Sequence, residues 1–341
     1  MRKRALMREA MYWTPASDGK VRCGLCPHEC LIGEGKAGIC RVRVNRNGRL
    51  YSLVDGLLAA LHTDPVEKKP LYHFHPGGQI LSIGTRGCNL KCAFCQNYHI
   101  SQEAPSAAGR DLTMSPGELA TMAVSLENNT GIAYTYNEPT VFYEFMLETA
   151  REIRRAGLKN VAVTNGFISQ APLAELLPEM DAFNVDLKSF DDGFYRRMAG
   201  GRLAPVLETL RAIVAGEKHL EITFLVIPTL NDSEEEFLKM IGWISSELGS
   251  DIPLHLSRYF PAWKLHLPPT PVPVLERFAC LAMEKMRYVY LGNVGETRFS
   301  STFCPACHRE LIRREGYQVT TDGLGPGGAC RHCGSRLAGI F

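Results

Sequence analysis

Cys88, Cys92 and Cys95 stand at C-x3-C-x2-C spacing in the stretch LSIGTRGCNLKCAFCQNYH, directly after a short apolar run. Three thiolates packed so closely suit an iron–sulfur cluster better than a structural zinc, which normally takes four protein ligands. No fourth cysteine follows nearby. A [4Fe–4S] cluster held by three cysteines leaves one iron open, and an open iron is a binding position for a substrate or cofactor. The plainer alternative is a three-thiol zinc or disulfide site.

Two further cysteine groups flank this one. TFCPACHRELI and GACRHCGSRL give C-x2-C twice, with 22 residues between. Cys304, Cys307, Cys330 and Cys333 are expected to surround one tetrahedral ion, with zinc as first choice and a rubredoxin-like iron as the alternative. The nearby GLGPGG reads as a turn. Near the start, VRCGLCPHECLIGEGKAGICRVR supplies Cys23, Cys26, Cys30 and Cys40. Zinc and an auxiliary Fe–S cluster both fit by ligand type. Zinc is the expectation, as an element tying down a Gly-rich segment. His28 reads as a bystander while four thiols are at hand. Cys280, in VLERFACLAMEKM, reads as a buried core thiol on the apolar face of a helix.

The elements that must position these groups show most clearly in the middle of the chain. The segment up to about residue 77 is rich in Gly, Pro and turns, with Leu50 to Leu58 its most strand-like piece. It ends in the loop-like DPVEKKPLYHFHPGG, where a loop role is expected for His73 and His75. From Gln79 onward, short apolar runs alternate with amphipathic stretches. Candidate strands are Ile80–Ile83, Gly131–Tyr136, Asn160–Thr164, Ala182–Leu187, Glu221–Ile227 and Pro253–Leu256. Between them lie helical stretches: SPGELATMAVSLE, with Ser115 as N-cap and Glu118 closing a capping box; PTVFYEFMLETAREIRRAG, where the basic run is a solvated face; SQAPLAELLPEM; Asp191 to Ala215; and SEEEFLKMIGWISSEL. Strand–helix alternation of this length predicts βαβ units and a mainly parallel sheet, either a partial barrel or an open α/β sheet. The expected division is 1–77, 78–298 and 299–341.

In parallel α/β folds the site lies beyond the carboxyl ends of the strands. Those ends carry the central cysteines, then Asn137 and Glu138 in AYTYNEPT, Asn165 in VAVTNGF, Asp186 and Lys188 in FNVDLKSF, and Pro228 to Asp232 in LVIPTLND. Asn165 or Asp232 alone would read as a cap or loop brace. Glu138, Asp186 and Lys188 share one edge, which favours a site. His255, in LHLSRYFP, follows a strand and is a weaker candidate.

The motif C-x3-C-x-aromatic-C, with Phe94 as the aromatic residue, resembles the signature of radical S-adenosylmethionine (SAM) enzymes. The resemblance implies a partial (β/α)6 barrel whose open iron chelates the amino and carboxylate groups of SAM. It implies that one electron from the cluster cleaves the sulfonium to methionine and a 5′-deoxyadenosyl radical, which takes a hydrogen atom from a substrate. YNEP is similar to the Gly-Gly-Glu-Pro stretch that binds the SAM amino group, with Glu138 as its acid and Tyr136 and Asn137 in place of the glycines. TNGF and DLK resemble pyruvate formate-lyase activating enzymes. The likeness implies that Asp186 and Lys188 lie near the SAM carboxylate and ribose, with Asn165 beside them. Val163 stands where those enzymes carry an acid before TNG. From CxLCPxxC through DPVEKKPLYHF, GCNLKCAFCQN, YNEPT, TNGF, DLKSF and LSRYFP to the paired CxxC, the chain resembles the radical SAM enzymes of the AmmeMemoRadiSam system.

The 341 residues carry a formal net charge of +2, so charge alone suggests neither a nucleic-acid nor a membrane partner. The start, MRKRALMREAMYW, is basic without a following apolar run, which argues against a signal peptide and for the cytoplasm, where clustered thiols bind metal more often than they pair. The expected partners are a flavodoxin- or ferredoxin-type electron donor and a protein substrate or companion proteins. The expected reaction is hydrogen abstraction, first from a glycine of a partner protein. The alternatives are a small molecule or another protein residue, and, in a different class, a non-catalytic multi-zinc scaffold.

Overall fold

The structure, a computed structural model, describes residues 7–105 and 111–341. Most of the basic start, residues 1–6, lies outside the described residues.

Eight strands form the central sheet. They are β1 (Ala60–Pro65), β2 (Gln79–Gly84), β3 (Asn129–Tyr134), β4 (Lys159–Thr164), β5 (Ala182–Asp186), β6 (His219–Val226), β7 (Leu254–Arg258) and β8 (Val289–Gly292). Their spatial order is sequential, and β2 to β8 are all parallel. β1 pairs antiparallel with β2 at the edge. The order never reverses, as it would in a doubly wound sheet, so the chain winds one way round a partial barrel. Six helices return the chain between the parallel strands: α1 (Pro116–Ser125), α2 (Tyr143–Arg155), α3 (Gln170–Leu176), α4 (Leu203–Ala215), α5 (Glu234–Trp243) and α6 (Val272–Met283).

Local chemistry explains the helix starts. Ser115 and Glu118 make the expected reciprocal capping box on α1. Ser233 caps α5 by accepting from Glu236 N, with three glutamates in the first turn where the helix dipole favours them. α2 buries Tyr143 to Leu147, Ala150 and Ile153, while Arg154 and Arg155 stay exposed, as expected for a solvated basic face.

Four expectations change. The apolar runs pointed to six strands; β8 forms a seventh parallel strand, and β1 adds the antiparallel edge. Both are short or polar-spaced, so hydrophobic pattern hid them. The stretch from Asp191 to Ala215 is two helical pieces broken at Gly200, which takes the left-handed conformation at φ 73°. Leu50 to Leu58 splits into Arg49–Ser52 and Leu57–Leu58 around Gly56, also left-handed. Cys280 is exposed, not buried. The inward stripe of α6 is Leu275, Phe278, Ala279 and Ala282, and Cys280 falls one residue off it.

The N-terminal segment folds into two small antiparallel sheets, one of Arg8–Glu9, Arg49–Ser52 and Arg43–Arg46, the other of Trp13–Pro15, Val21–Cys23 and Leu31–Ile32. The C-terminal segment forms a three-stranded antiparallel sheet of Thr302–Phe303, Glu310–Glu315 and Gln318–Thr320. It is tied to the loop after β1. His73 bonds Ala338 O at 2.6 Å and Tyr290 Oη at 2.6 Å, and the Arg314 guanidinium lies 4.1 Å from the Tyr72 ring centre. No described helix is long and apolar enough to cross a membrane.

Candidate active site

A cavity of about 470 Å3 opens at the carboxyl ends of the parallel strands. Cys88, Cys92, Cys95, Phe94, Asn137, Glu138, Asn165, Asp186 and Lys188 all line it. Residues scattered from 88 to 188 converge because each follows or ends one of four neighbouring parallel strands.

Donors point at the sulfurs. Leu90 N lies 3.3 Å from Cys88 Sγ, and Asn165 Nδ2 lies 3.7 Å from it. Ser101 Oγ is 3.1 Å from Cys95 Sγ. Burial, reinforced by the Glu138 carboxylate and the Cys92 thiol, pushes Cys88 well above an ordinary thiol; burial drives Cys92 to about 11. Thiols this buried become thiolates only beside a compensating cation, which cluster iron supplies. Three inward cysteines with sulfur-directed donors fit a cluster with one open iron.

The polar residues divide into two kinds. Asn137 braces the cysteine loop: its Oδ1 accepts from Thr85 N at 3.1 Å, and its Nδ2 donates to Gly87 O at 2.8 Å. Glu138 is fully buried, and four groups donate to it: Thr140 N and Oγ1, Thr164 Oγ1 and Asn165 N. Burial raises its carboxyl above the usual range while these donors restrain the rise. Three of these donors meet Oε1 and one meets Oε2, so it fixes the Thr164–Asn165 turn. Asn165 in turn donates to Asn89 Oδ1 at 2.9 Å, beside Cys88.

Lys188 and Asp186 offer charge to the cavity. Their Nζ–Oδ2 separation is 3.0 Å, and the ammonium lies 6.0 Å from the Phe94 ring centre. Burial disfavours the ammonium, but Asp186 and the Cys92 sulfur more than offset this and hold its pKa above the ordinary lysine value. Asn231 anchors this stretch by donating to Lys188 O and Leu225 O, each at 2.8 Å. Asp232 has no such role.

Lys69, from the DPVEKKP motif, reaches the cavity wall with Tyr136. Its Nζ and Tyr136 Oη both meet Asp64, at 2.6 and 2.5 Å. Nothing in the local pattern announced this, since β1 reads as loop; only the KKP sequence marked the place. Ser257, near the end of β7, and Asn293, just after β8, also line the cavity. His255 does not. It bonds Glu221 at 2.6 Å, two residues below Ser257 on the same strand face. His73 keeps the expected loop role.

The outer cysteines differ from one another. In the C-terminal group Cys304 Sγ lies 3.6 Å from Cys333 Sγ, and Cys307 Sγ lies 3.7 Å from Cys330 Sγ. All four sulfurs fall within 4.8 Å of one another. A tetrahedral ion with bonds of about 2.3 Å needs sulfurs about 3.8 Å apart. Among the described residues, this is the only group of three or more ligand atoms that closes so tightly. The N-terminal four instead line a separate small cavity with His28, Arg43 and Asn89. His28 Nε2 lies 2.8 Å from Asn89 O, so it braces this wall. All twelve cysteines are unpaired.

The family model of the radical SAM superfamily matches residues 82–241. An uncharacterised protein of Methanocaldococcus jannaschii is 42% identical over 97% of this chain and 99% of its own. The pyruvate formate-lyase-activating enzyme of Clostridium pasteurianum is 24% identical over 47% of this chain and 67% of its own. In fold, the chain matches a radical SAM methyltransferase from Sphaerobacter thermophilus with a TM-score of 0.50, at 16% identity, covering 65% of this chain and 68% of that one. The match to the superfamily model spans the cysteine loop and the ends of β2 to β5 that line the cavity, and the relatives include proteins named as activating enzymes: the chain belongs to the radical SAM superfamily and is an enzyme related to the pyruvate formate-lyase activating enzymes.

Proposed function

We propose that this enzyme abstracts a hydrogen atom from a backbone segment of a partner protein, with a glycine as the first target. A [4Fe–4S] cluster with SAM at its open iron supplies one-electron cleavage of the sulfonium to methionine and a hydrogen-abstracting 5′-deoxyadenosyl group. The chain's own residues do the rest. Cys88, Cys92 and Cys95 hold the cluster. Lys188 and Asp186 present paired charges to the cofactor carboxylate and ribose, and Lys188 keeps its proton. Phe94 covers the cluster loop. Glu138, Asn137 and Asn165 line the pocket and hold the turns that shape it.

The observation that carries the protein-substrate reading is the mouth. A closed pocket suits a small molecule, whereas this cavity is partly open to solvent. Gln96, on its wall, donates to Phe260 O, and exposed Phe260 and Tyr98 stand beside it, with Tyr98 stacked on Trp263 at 4.6 Å. Exposed aromatic side chains at a rim suit a protein partner. Zinc in the C-terminal group, a flavodoxin- or ferredoxin-type donor and a cytoplasmic setting complete the proposal; twelve unpaired thiols support the last. The proposed domain plan is 1–77, 78–298 and 299–341, with β1 of the first segment completing the edge of the central sheet.

The test is anaerobic turnover with SAM and dithionite, using extract of the source organism grown on α-deuterated glycine and separated by size. Deuterium in 5′-deoxyadenosine from the macromolecular fraction supports the reading. Deuterium from the small-molecule fraction alone replaces it with a small substrate. Cys92→Ala should abolish 5′-deoxyadenosine; if it does not, the ligand assignment is wrong.

A further inference from the structure

The three cysteine groups provide their own calibration. The C-terminal four close to single-ion spacing. The central three, which hold a cluster in this superfamily, do not come within 4.8 Å as a set. Nor do any three or more of Cys23, Cys26, Cys30 and Cys40. These four line one small, partly enclosed cavity and all face it. A single zinc would draw four sulfurs to about 3.8 Å from one another; a cubane keeps its thiolates farther apart. By this measure the N-terminal group belongs with the central one.

Sequence spacing says the same. Cys23-x2-Cys26-x3-Cys30 is the reverse of Cys88-x3-Cys92-x2-Cys95. Cys40 then adds the fourth thiol that the central group lacks.

A second observation is independent of the thiols. Arg43 lines the cavity and is only 1% exposed. Its Nη2 is used by Met11 O and by Glu144 at 2.9 Å. Its Nε and Nη1 are buried with no partner. Buried guanidinium donors without acceptors are costly, and acceptors are what the sulfides and thiolates of an anionic cluster offer. Gly38 keeps the space open, since a Cβ there would meet Cys30 Sγ at 3.5 Å and Ile32 at 3.2 Å.

We propose that Cys23, Cys26, Cys30 and Cys40 bind a second [4Fe–4S] cluster, with every iron capped by a thiolate and Arg43 donating to it. Such a cluster has no open iron and does not bind SAM. It lies against the first. Asn89, next to Cys88, forms part of its wall, and Gly87 packs so closely on Cys40 O that a Cβ there would stand 2.6 Å away. Two one-electron carriers then sit back to back across a single loop.

The inference is independent of the substrate proposed above, because irons are counted without turnover. The full-length chain is reconstituted anaerobically with iron and sulfide, with Cys88, Cys92 and Cys95 all changed to Ala. The expected product is brown, holds about four irons, and after dithionite gives a [4Fe–4S] EPR signal that SAM leaves unchanged. A colourless variant with zinc on the N-terminal thiols overturns the proposal. Mössbauer spectra of the unaltered chain give a second reading that needs no variant. About eight cluster irons, half of them in a cluster unaffected by SAM, support it; about four irons, all in one SAM-responsive cluster, overturn it. Cys40→Ala should lower cluster iron by about half and leave the SAM-responsive signal in place. The C-terminal ion, at one per chain, does not obscure this count.

Discussion

The two outer cysteine groups have the same ligand count and opposite geometry. Cys304, Cys307, Cys330 and Cys333 sit on two knuckles that nearly touch, with Ser335 Oγ 3.2 and 3.1 Å from Cys304 and Cys333. Cys23, Cys26, Cys30 and Cys40 come from a strand, the loop after it and a turn, and they hold a cavity open between them. The first group ties down a small sheet with few large apolar residues. The second packs against the barrel itself, with Thr140 and Val141, just after Glu138, in its wall. The same four thiols can therefore build a staple or a redox pocket. What decides between them is how far the surrounding backbone holds the sulfurs apart, and whether a buried cation waits for the anion they make.

The largest expected effect falls on the staple. A structural zinc contributes on the order of 10 kcal/mol to the fold of a small element. Cys304→Ser with Cys333→Ser should remove one metal ion per chain and open residues 299–341 to protease. The cluster absorption and 5′-deoxyadenosine formation should persist. Loss of cluster iron from this variant would break the distinction between the two groups.

Next comes Arg43. It pairs with Glu144, and both are fully buried. Removing one partner of such a pair costs roughly 3–5 kcal/mol. Arg43→Gln should lower the urea midpoint accordingly and weaken retention of cluster iron, while the C-terminal ion stays at one per chain. A midpoint shift equivalent to less than about 1 kcal/mol would mean that the guanidinium is not held as described.

Acid provides the third test. Burial lowers the His73 pKa to about 4. The imidazole is neutral in the fold, packed among Tyr288, Tyr290 and Phe341, with Glu221, His219 and Arg314 the nearest charged or titratable groups. Between about 6.5 and 4 the unfolded chain binds a proton that the folded chain refuses. Stability therefore falls as pH drops through this window, by up to about 3 kcal/mol. Glu221, whose pKa is lowered by its hydrogen bonds to His219 and His255 despite burial, acts in the same direction at still lower pH. Because His73 bonds Ala338 O, the C-terminal element should loosen first. Limited proteolysis against pH checks this, and cleavage of the N-terminal segment before residue 299 would contradict it.

The smallest effect is expected at Cys280. It is exposed, and Arg298 Nη2 lies 3.3 Å from its sulfur. Cys280→Ala should change stability by under about 0.5 kcal/mol and leave every metal count unchanged. A lost metal would show that the eleven remaining thiols have been grouped wrongly.

Much of this was legible in the residues. The C-x3-C-x2-C loop, the paired CxxC and the strand–helix alternation are local patterns whose spacing carries chemistry directly. Glu138, Asp186 and Lys188 could be named because parallel strands deliver their carboxyl ends to one edge, so chain order predicts spatial neighbours. Lys69 could not, since it reaches the cavity only through an antiparallel edge strand that the pattern does not reveal. Asn231 was within the marked stretch, but its two carbonyl partners belong to different strand ends. The reading of Cys280 failed because a neutral, apolar residue beside an inward stripe looks the same in sequence as one within it.

By itself the sequence determined where the cysteines cluster, in what number, and that the central group is a thiol short. Ligand type and short-range spacing are covalent facts, and folding does not alter them. Only the tertiary structure decided how far apart four thiols stand, which carboxylates already accept hydrogen bonds from the protein, and that Arg43 meets the N-terminal cavity with two idle donors. Those properties depend on backbone segments brought together from distant parts of the chain, and on the solvent that packing excludes.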